Sequence, residues 1–297
     1  MSGIVYLNGL LLPRAEALVP VDDRGFTFGD GVYEVMRALD GRFFEAGPHL
    51  RRLEDGLRGV EIRGGEDTAP DALLAIARRL LEENGLAEGH ATVYVQVTRG
   101  AAARTHYFPP AGTPPTVYLS AARFTPPLAQ CERGAAAITH PDLRWARCDL
   151  KTVNLLPNVL AKQKAVASGA VEAILVRDGA VTEGSHTTVF AVVRGELRTH
   201  PLSTRILPGV TRDLLLHLAA ERGIPARAVA VSAEELAAAD EVLVCGTTMD
   251  VTPVVRLDGL PVGDGRPGPV ARALREALME RIEAAAPAPR PGFLVPG

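Results

Sequence analysis

The apolar positions of this chain fall into short β-branched and aromatic runs closed by turn dipeptides, interleaved with longer stretches at helical spacing. The opening MSGIVYLNGLLLPRAE predicts a β-hairpin turning at Asn8-Gly9, a dipeptide that tolerates the positive φ angles a tight hairpin needs. GVYEVMRALDGRFF, Gly31 to Phe44, reads as two strands joined at Asp40-Gly41. Leu50, Leu53 and Leu57 share one face of a helix predicted from Pro48 to Leu57, with Arg51, Arg52 and Glu54 between them. A second amphipathic helix is predicted from Pro70 to Leu86, closing near Asn84-Gly85 as a C-cap would. Ala91 to Thr98 and Thr116 to Ala121 read as further strands. Between them Arg99 to Pro115 is rich in Gly, Ala and Pro and carries Arg104, His106, Tyr107 and Phe108. A structureless stretch of that length is uncommon inside a compact domain and is often functional.

Phe124-Thr125-Pro126-Pro127 marks a domain linker. Beyond it the pattern predicts a strand at Ala135 to Thr139, a helix at Asn154 to Ser168 and a strand at Ala170 to Arg177. Turns at Asp178-Gly179 and Arg194-Gly195 predict an antiparallel meander. A helix from about Thr211 to Arg222, a strand at Glu241 to Cys245, a hairpin turning at Asp258-Gly259 and a helix from Pro269 to Ala285 follow. The closing PAPRPGFLVPG is too rich in Pro and Gly to pack and reads as a loose tail. The expectation is an α+β protein of two domains. A smaller N-terminal α/β domain occupies 1–123, a larger domain with an antiparallel β-rich core occupies 124–286, and a flexible tail occupies 287–297.

Composition excludes more than it adds. Of 297 residues 47% are hydrophobic and 23% charged, and the formal net charge is -3. No Lys/Arg run points to nucleic acid or an anionic membrane, and no apolar stretch reaches the ~18 residues of a membrane span. Cys131, Cys148 and Cys245 are too scattered for a disulfide framework or a zinc pair. The amino-terminal residues lack the basic start of a signal peptide, so a cytoplasmic, reducing location is expected. Gly29-Asp30-Gly31 hints at a dinucleotide fingerprint, but Tyr33 and Glu34 stand where the third glycine belongs and the segment continues as a strand. Walker, GxSxG and HExxH motifs are missing, which leaves the common hydrolase and metal chemistries without local support.

The run RWARCDLKTVNLL, Arg144 to Leu156, stands in order with DRGFTFGDGVYEV at 23–35, YVQVTRG at 94–100, VTEGS at 181–185, LPGVTRD at 207–213 and GTTMDVTPV at 246–254. Together these landmarks closely resemble fold-type IV pyridoxal-phosphate (PLP) enzymes, a class containing D-amino-acid aminotransferases, branched-chain aminotransferases and aminodeoxychorismate lyases. The resemblance covers nearly the whole chain. It implies that Lys151 carries pyridoxal 5'-phosphate as a Schiff base and then acts as the proton-shuttling base. It implies that Glu183 meets the pyridine nitrogen, so that the protonated ring draws electrons from the substrate Cα. A phosphate is best held by a helix N-terminus and a cation. The Val210 and Thr211 amides and the Thr211 hydroxyl stand where a helix begins, Arg52 in PHLRRL resembles the phosphate arginine, and Thr247 in the GTT turn resembles a further phosphate contact. The chain departs from D-amino-acid aminotransferases at His186, Thr187 and Thr188, where they typically have serines and an asparagine. His186 is left between a hydrogen bond to the phosphate and a space-filling role.

Ala102 to Phe108 resembles the Arg-x-His loop of D-amino-acid aminotransferases, in which that pair and a tyrosine of the GVYE strand bind the substrate α-carboxylate. The matching residues are Arg104, His106 and Tyr33. The forked donors of arginine fit a carboxylate, and fixing it decides which Cα hydrogen faces Lys151. In the family this loop reaches the neighbouring subunit's site, so the expected working unit is a homodimer. The implied reaction converts D-alanine and 2-oxoglutarate to pyruvate and D-glutamate with ping-pong kinetics. Transamination of branched-chain L-amino acids or (R)-amines, or an aminodeoxychorismate lyase reaction, is the alternative on this fold; branched-chain enzymes and the lyases generally lack the Arg-x-His pair. Lys151 and Glu183 together argue against a ligand-binding protein that has lost catalysis.

Overall fold

The computed structural model describes residues 3–285, and the tail expected at 287–297 lies outside them. The first sheet contains β1 (Ile4–Leu7), β2 (Leu10–Pro13), β3 (Gly31–Leu39), β4 (Arg42–Phe44), β5 (His90–Thr98) and β6 (Thr116–Arg123), in the order β2-β1-β6-β5-β3-β4. Every neighbouring pair is antiparallel. The hairpins turn where expected: Asn8 and Gly9 have φ of 46° and 92°, and Asp40 and Gly41 have 49° and 77°. Helices α1 (Arg24–Phe28), α2 (Ala46–Gly59) and α3 (Pro70–Glu83) complete this half. The leucines that predicted α2 and α3 form its core, with Leu50, Leu53 and Leu57 packed beside Leu73 and Leu80 against Val32, Met36 and Val93.

The second half comprises α4 (Leu128–Arg133), β7 (Ala135–Pro141), α5 (Leu156–Ala167), β8 (Glu172–Arg177), β9 (Ala180–Gly184), β10 (Thr188–Val193), β11 (Glu196–Thr199), α6 (Val210–Glu221), β12 (Ala226–Ala228), α7 (Ala233–Ala237), β13 (Glu241–Gly246), β14 (Asp250–Leu257), β15 (Leu260–Pro261) and α8 (Pro269–Ala285). The strands form one sheet, β12-β11-β10-β13-β14-β7-β8-β9, with β15 beside β14. The fold is α+β, as expected. The continuous meander is not found: β8–β9 and β10–β11 are separate hairpins, and β10 takes β13 as its other neighbour. The break has a local cause. Gly184 N donates to Thr187 O at 2.7 Å, and the Ser185 and Thr187 hydroxyls donate to the buried Glu172 carboxylate, so the chain turns away after β9. The sheet is also mixed, since β7 pairs parallel with both β14 and β8.

The two halves meet along β3. Tyr33 N donates to Lys151 O at 2.9 Å and Val153 N to Gly31 O at 3.0 Å, so the segment before α5 runs beside the start of β3. Farther along, the buried Arg37 of β3 donates to Asp250, the first residue of β14.

Candidate active site

Seven of the nine residues given a cofactor or substrate role from the sequence, Tyr33, Arg52, Lys151, Glu183, Val210, Thr211 and Thr247, line one cavity of about 490 Å³. Its size suits a small aromatic cofactor with a substrate. Lys151 Nζ lies 4.3 Å from the centroid of the Tyr33 ring. That ring stacks on Tyr94 at 5.6 Å, which fixes its plane.

One part of the wall is acidic. The buried Glu183 accepts from Leu207 N at 3.0 Å and from the Arg144 guanidinium. Arg144 is in turn held by Asp142 through Nη2 at 2.8 Å and Nε at 2.9 Å. Burial pushes the Glu183 carboxyl up, with Arg144 pulling against it. Burial also raises Asp142, but hydrogen bonds and charge from Arg144 outweigh it and hold that carboxyl at about 2. A carboxylate with raised proton affinity, next to a fixed cation, is suited to share a proton with a heteroaromatic nitrogen.

Another part of the wall suits an anion. Gly209 is the N-cap of α6 and offers no side chain to its amides, leaving those of the first turn free. A Cβ at Gly209 would lie 2.8 Å from Thr188 Oγ1, so a side chain there would force the Thr188 hydroxyl to move. Thr211 therefore lies inside the helix and is not its cap. Arg52 brings the cation: Nη1 donates to Pro208 O at 3.0 Å, while Nε and Nη2 donate to Glu34 at 2.9 Å and 2.8 Å. Arg51 is exposed. Glu34 is fully buried on β3 and also takes His49 Nδ1 at 3.0 Å. Burial raises Glu34, but Arg52 and His49 outweigh it and hold the carboxyl far below the ordinary range.

Arg104 and His106 are not in this cavity. They are exposed on the long loop and rest on Phe28, with Arg104 Cζ 4.9 Å from the ring centroid and the His106 ring at 5.6 Å. His186 does line the cavity, with Nδ1 2.9 Å from the buried Glu172 Oε2, so that nitrogen is committed to the protein. Four residues of the site carry no assignment from the sequence: Glu34, His49, Asp142 and Arg144. Glu34 left a signal, an acid inside the otherwise apolar VYEVM run, since such a residue on a buried strand requires a partner.

Residues 31–257 match the family described as amino-transferase class IV. The chain is 40% identical over 279 residues to the D-alanine aminotransferase of Staphylococcus haemolyticus, covering 94% of this chain and 98% of that protein. It superposes on the branched-chain amino acid aminotransferase of Escherichia coli with a TM-score of 0.88 at 28% identity, over 97% of each chain. A branched-chain amino acid aminotransferase from T.th., solved in complex with N-(5'-phosphopyridoxyl)-L-glutamate, gives 0.85 at 29% identity over 97% of this chain and 96% of that one.

Proposed function

This chain belongs to the class IV aminotransferases, and from that premise we propose that it transaminates D-amino acids, with D-alanine and 2-oxoglutarate as donor and acceptor and PLP held by Lys151. The observation that carries the reading is one cavity holding an amine, a buried carboxylate and an anion cradle, in Lys151, Glu183 and the Gly209–Thr211 turn. The acid fits a pyridine nitrogen, and the uncapped helix with Arg52 and Thr247 fits a phosphate. When bound, PLP supplies the electron sink for the substrate Cα. Lys151 would hold the cofactor, and its amine, once displaced by the substrate amine, would be the group that moves the Cα proton. Glu183, backed by Arg144, holds a proton at the pyridine nitrogen. Arg52 and the Val210 and Thr211 amides fix the phosphate, and Tyr33 orients the substrate beside Lys151.

The D-specific part of the reading rests on Arg104 and His106 and on the D-alanine aminotransferase relative. These two residues serve the α-carboxylate in the neighbouring subunit's site, which accords with their exposure away from this chain's own cavity. The working unit is then a homodimer. The domain boundary falls at 123/124, so residues from both domains meet the cofactor. Three free, buried cysteines accord with a reducing cytoplasm. A panel of D- and L-amino acids and (R)-amines with 2-oxoglutarate, read by product analysis, tests the proposal. D-alanine should be the best donor in the panel, and a preference for L-leucine or an (R)-amine would overturn it.

A further inference from the structure

The motif DRGFTFGD at 23–30 contributes no residue to the cavity, yet it holds two buried charges and a short helix. Asp30 is their hub. Its carboxylate accepts from Arg24 Nε at 2.9 Å and from Arg99 Nε and Nη2 at 2.8 and 3.0 Å. Each arginine then reaches the long loop at a different point. Arg24 Nη1 donates to Thr105 O at 2.8 Å, the carbonyl between Arg104 and His106. The Arg99 guanidinium lies 3.7 Å from the Phe108 ring centroid. Arg99 also donates to Glu61 O at 2.8 Å and Val60 O at 2.6 Å, which ties the assembly to the end of α2. Phe28, the last residue of α1, completes it, touched by Arg24 Cζ at 4.6 Å, Arg104 Cζ at 4.9 Å and the His106 ring.

We infer that Arg24 and Arg99, joined through Asp30, form a clasp that positions Arg104 and His106 for the substrate carboxylate, with Phe28 as the platform under both side chains. This rests on the reading of the Arg104–His106 loop given above. The loop is held at the Thr105 carbonyl and at the half-exposed Phe108 ring, and the residues either side of that anchored carbonyl, Arg104 and His106, stay exposed. Among the described residues Arg104 has no carboxylate partner, and its guanidinium stays available to a ligand. The clasp stays charged: burial raises Asp30, but hydrogen bonds from Arg99 and Arg24 outweigh it and lower its pKa. Arg24 and Arg99 are positioning residues, since they act through the loop.

The test uses the PLP-loaded enzyme and compares Arg24→Met, Arg99→Met and Phe28→Leu with Arg104→Ala. KM and kcat for D-alanine and 2-oxoglutarate, amide hydrogen exchange over 101–110, and cofactor retention after gel filtration are read for each. The clasp predicts KM raised on the order of tenfold for both substrates, as for a displaced binding group, with kcat changed less, faster exchange over 101–110 and unchanged cofactor retention. Arg24→Lys, which keeps a donor for Thr105 O, should reverse part of the rise in KM. If Arg104→Ala raises KM while the folded clasp variants do not, the clasp is wrong and the carboxylate reading stands. If Arg104→Ala itself leaves KM unchanged, the carboxylate reading fails and the clasp falls with it. Should Arg24→Met not fold, Phe28→Leu and Arg99→Met decide the matter, and wild-type KM in both overturns the inference.

Discussion

Glu34→Gln isolates what holds the arginine of the anion cradle. Glu34 is fully buried and accepts from Arg52 Nε at 2.9 Å, Arg52 Nη2 at 2.8 Å, His49 Nδ1 at 3.0 Å and Val35 N at 2.9 Å. The substitution keeps the volume, removes the charge and turns an NH2 group towards donors. Removing one partner of a buried ion pair costs roughly 3–5 kcal/mol. The Arg52 side chain is 10% exposed, so water recovers part of its solvation and the lower end applies. A loss of about 3 kcal/mol should lower Tm by about 5–10 °C in a chain of this size. The cofactor effect is separable from that. A guanidinium released from its bidentate seat forfeits one charge-assisted hydrogen bond to phosphate, about 1.5–3 kcal/mol, or roughly ten- to a hundredfold in PLP affinity. Spectroscopic titration of the apoenzyme with PLP and with pyridoxal, which lacks the phosphate, distinguishes the two. PLP affinity should fall and pyridoxal affinity should hold. Wild-type PLP affinity in a destabilised Glu34→Gln, or an equal loss for both ligands, refutes the argument.

Lys151→Ala should abolish turnover and the visible absorption of the bound cofactor; retained multiple-turnover transamination would sink the proposed role of the amine. Glu183→Gln removes the group proposed to hold the pyridine proton and should lower kcat by about a hundredfold or more with little change in KM; a kcat equal to wild type argues against it. Burial raises Glu172, but His186, Ser185 and Thr187 outweigh it and hold its carboxyl at about 2, below the usual 4.5. A depressed carboxylate stabilises the fold above its ordinary pKa, so about 3 kcal/mol should be present above pH 4.5 and be lost as pH falls towards 2. Thermal melts across that range should show the decline, and His186→Ala should make it shallower, with Asp142, Glu34 and the Ser185 and Thr187 hydroxyls on Glu172 carrying the rest; an unchanged acid slope in that variant rules His186 out as the partner that matters.

The parts of the fold that were legible in the sequence are those with local causes. Asn8-Gly9, Asp40-Gly41, Asp178-Gly179 and Asp258-Gly259 all adopt positive φ, which few other residues tolerate. Leucines at helical spacing marked α2 and α3 because the same residues build the core. Helix α1 was illegible because five residues carry no periodicity; its cues were the Asp23 cap, accepting from Gly25 N at 2.8 Å, and Gly29 at φ 67°. The parallel neighbours of β7 stayed hidden for a different reason, since strand choice is set by distant packing and nothing in Ala135–Pro141 names β14. At the site, motif order carried Lys151, Glu183 and Arg52. It carried none of the contacts that hold them, because Asp142, Arg144, Glu34 and His49 act through pairings visible only once the chain has folded.

Those pairings give β3 a role that its apolar sequence conceals. Its even positions, Val32, Glu34, Met36 and Ala38, are buried, and Val32, Met36 and Ala38 pack in the core with α2; Glu34 is the single charge among them. That charge exists to seat Arg52, which lies on the same helix. On the other face Tyr33 meets Lys151, and Arg37 meets Asp250 and the Phe124 ring, 4.9 Å away just beyond β6. Asp250 ends the turn that presents Thr247, and it sits there with φ 48°, a left-handed conformation uncommon outside glycine. A buried ion pair contributes little net stability but strongly penalises arrangements that separate its members. Glu34–Arg52 and Arg37–Asp250 therefore act on geometry more than on stability. One fixes the cation of the anion cradle and the other fixes the threonine turn, and both are set from a single strand of the first sheet. The cavity is thus lined by residues of both halves and takes its shape from pairings made by the first, which is why neither sheet alone describes the site.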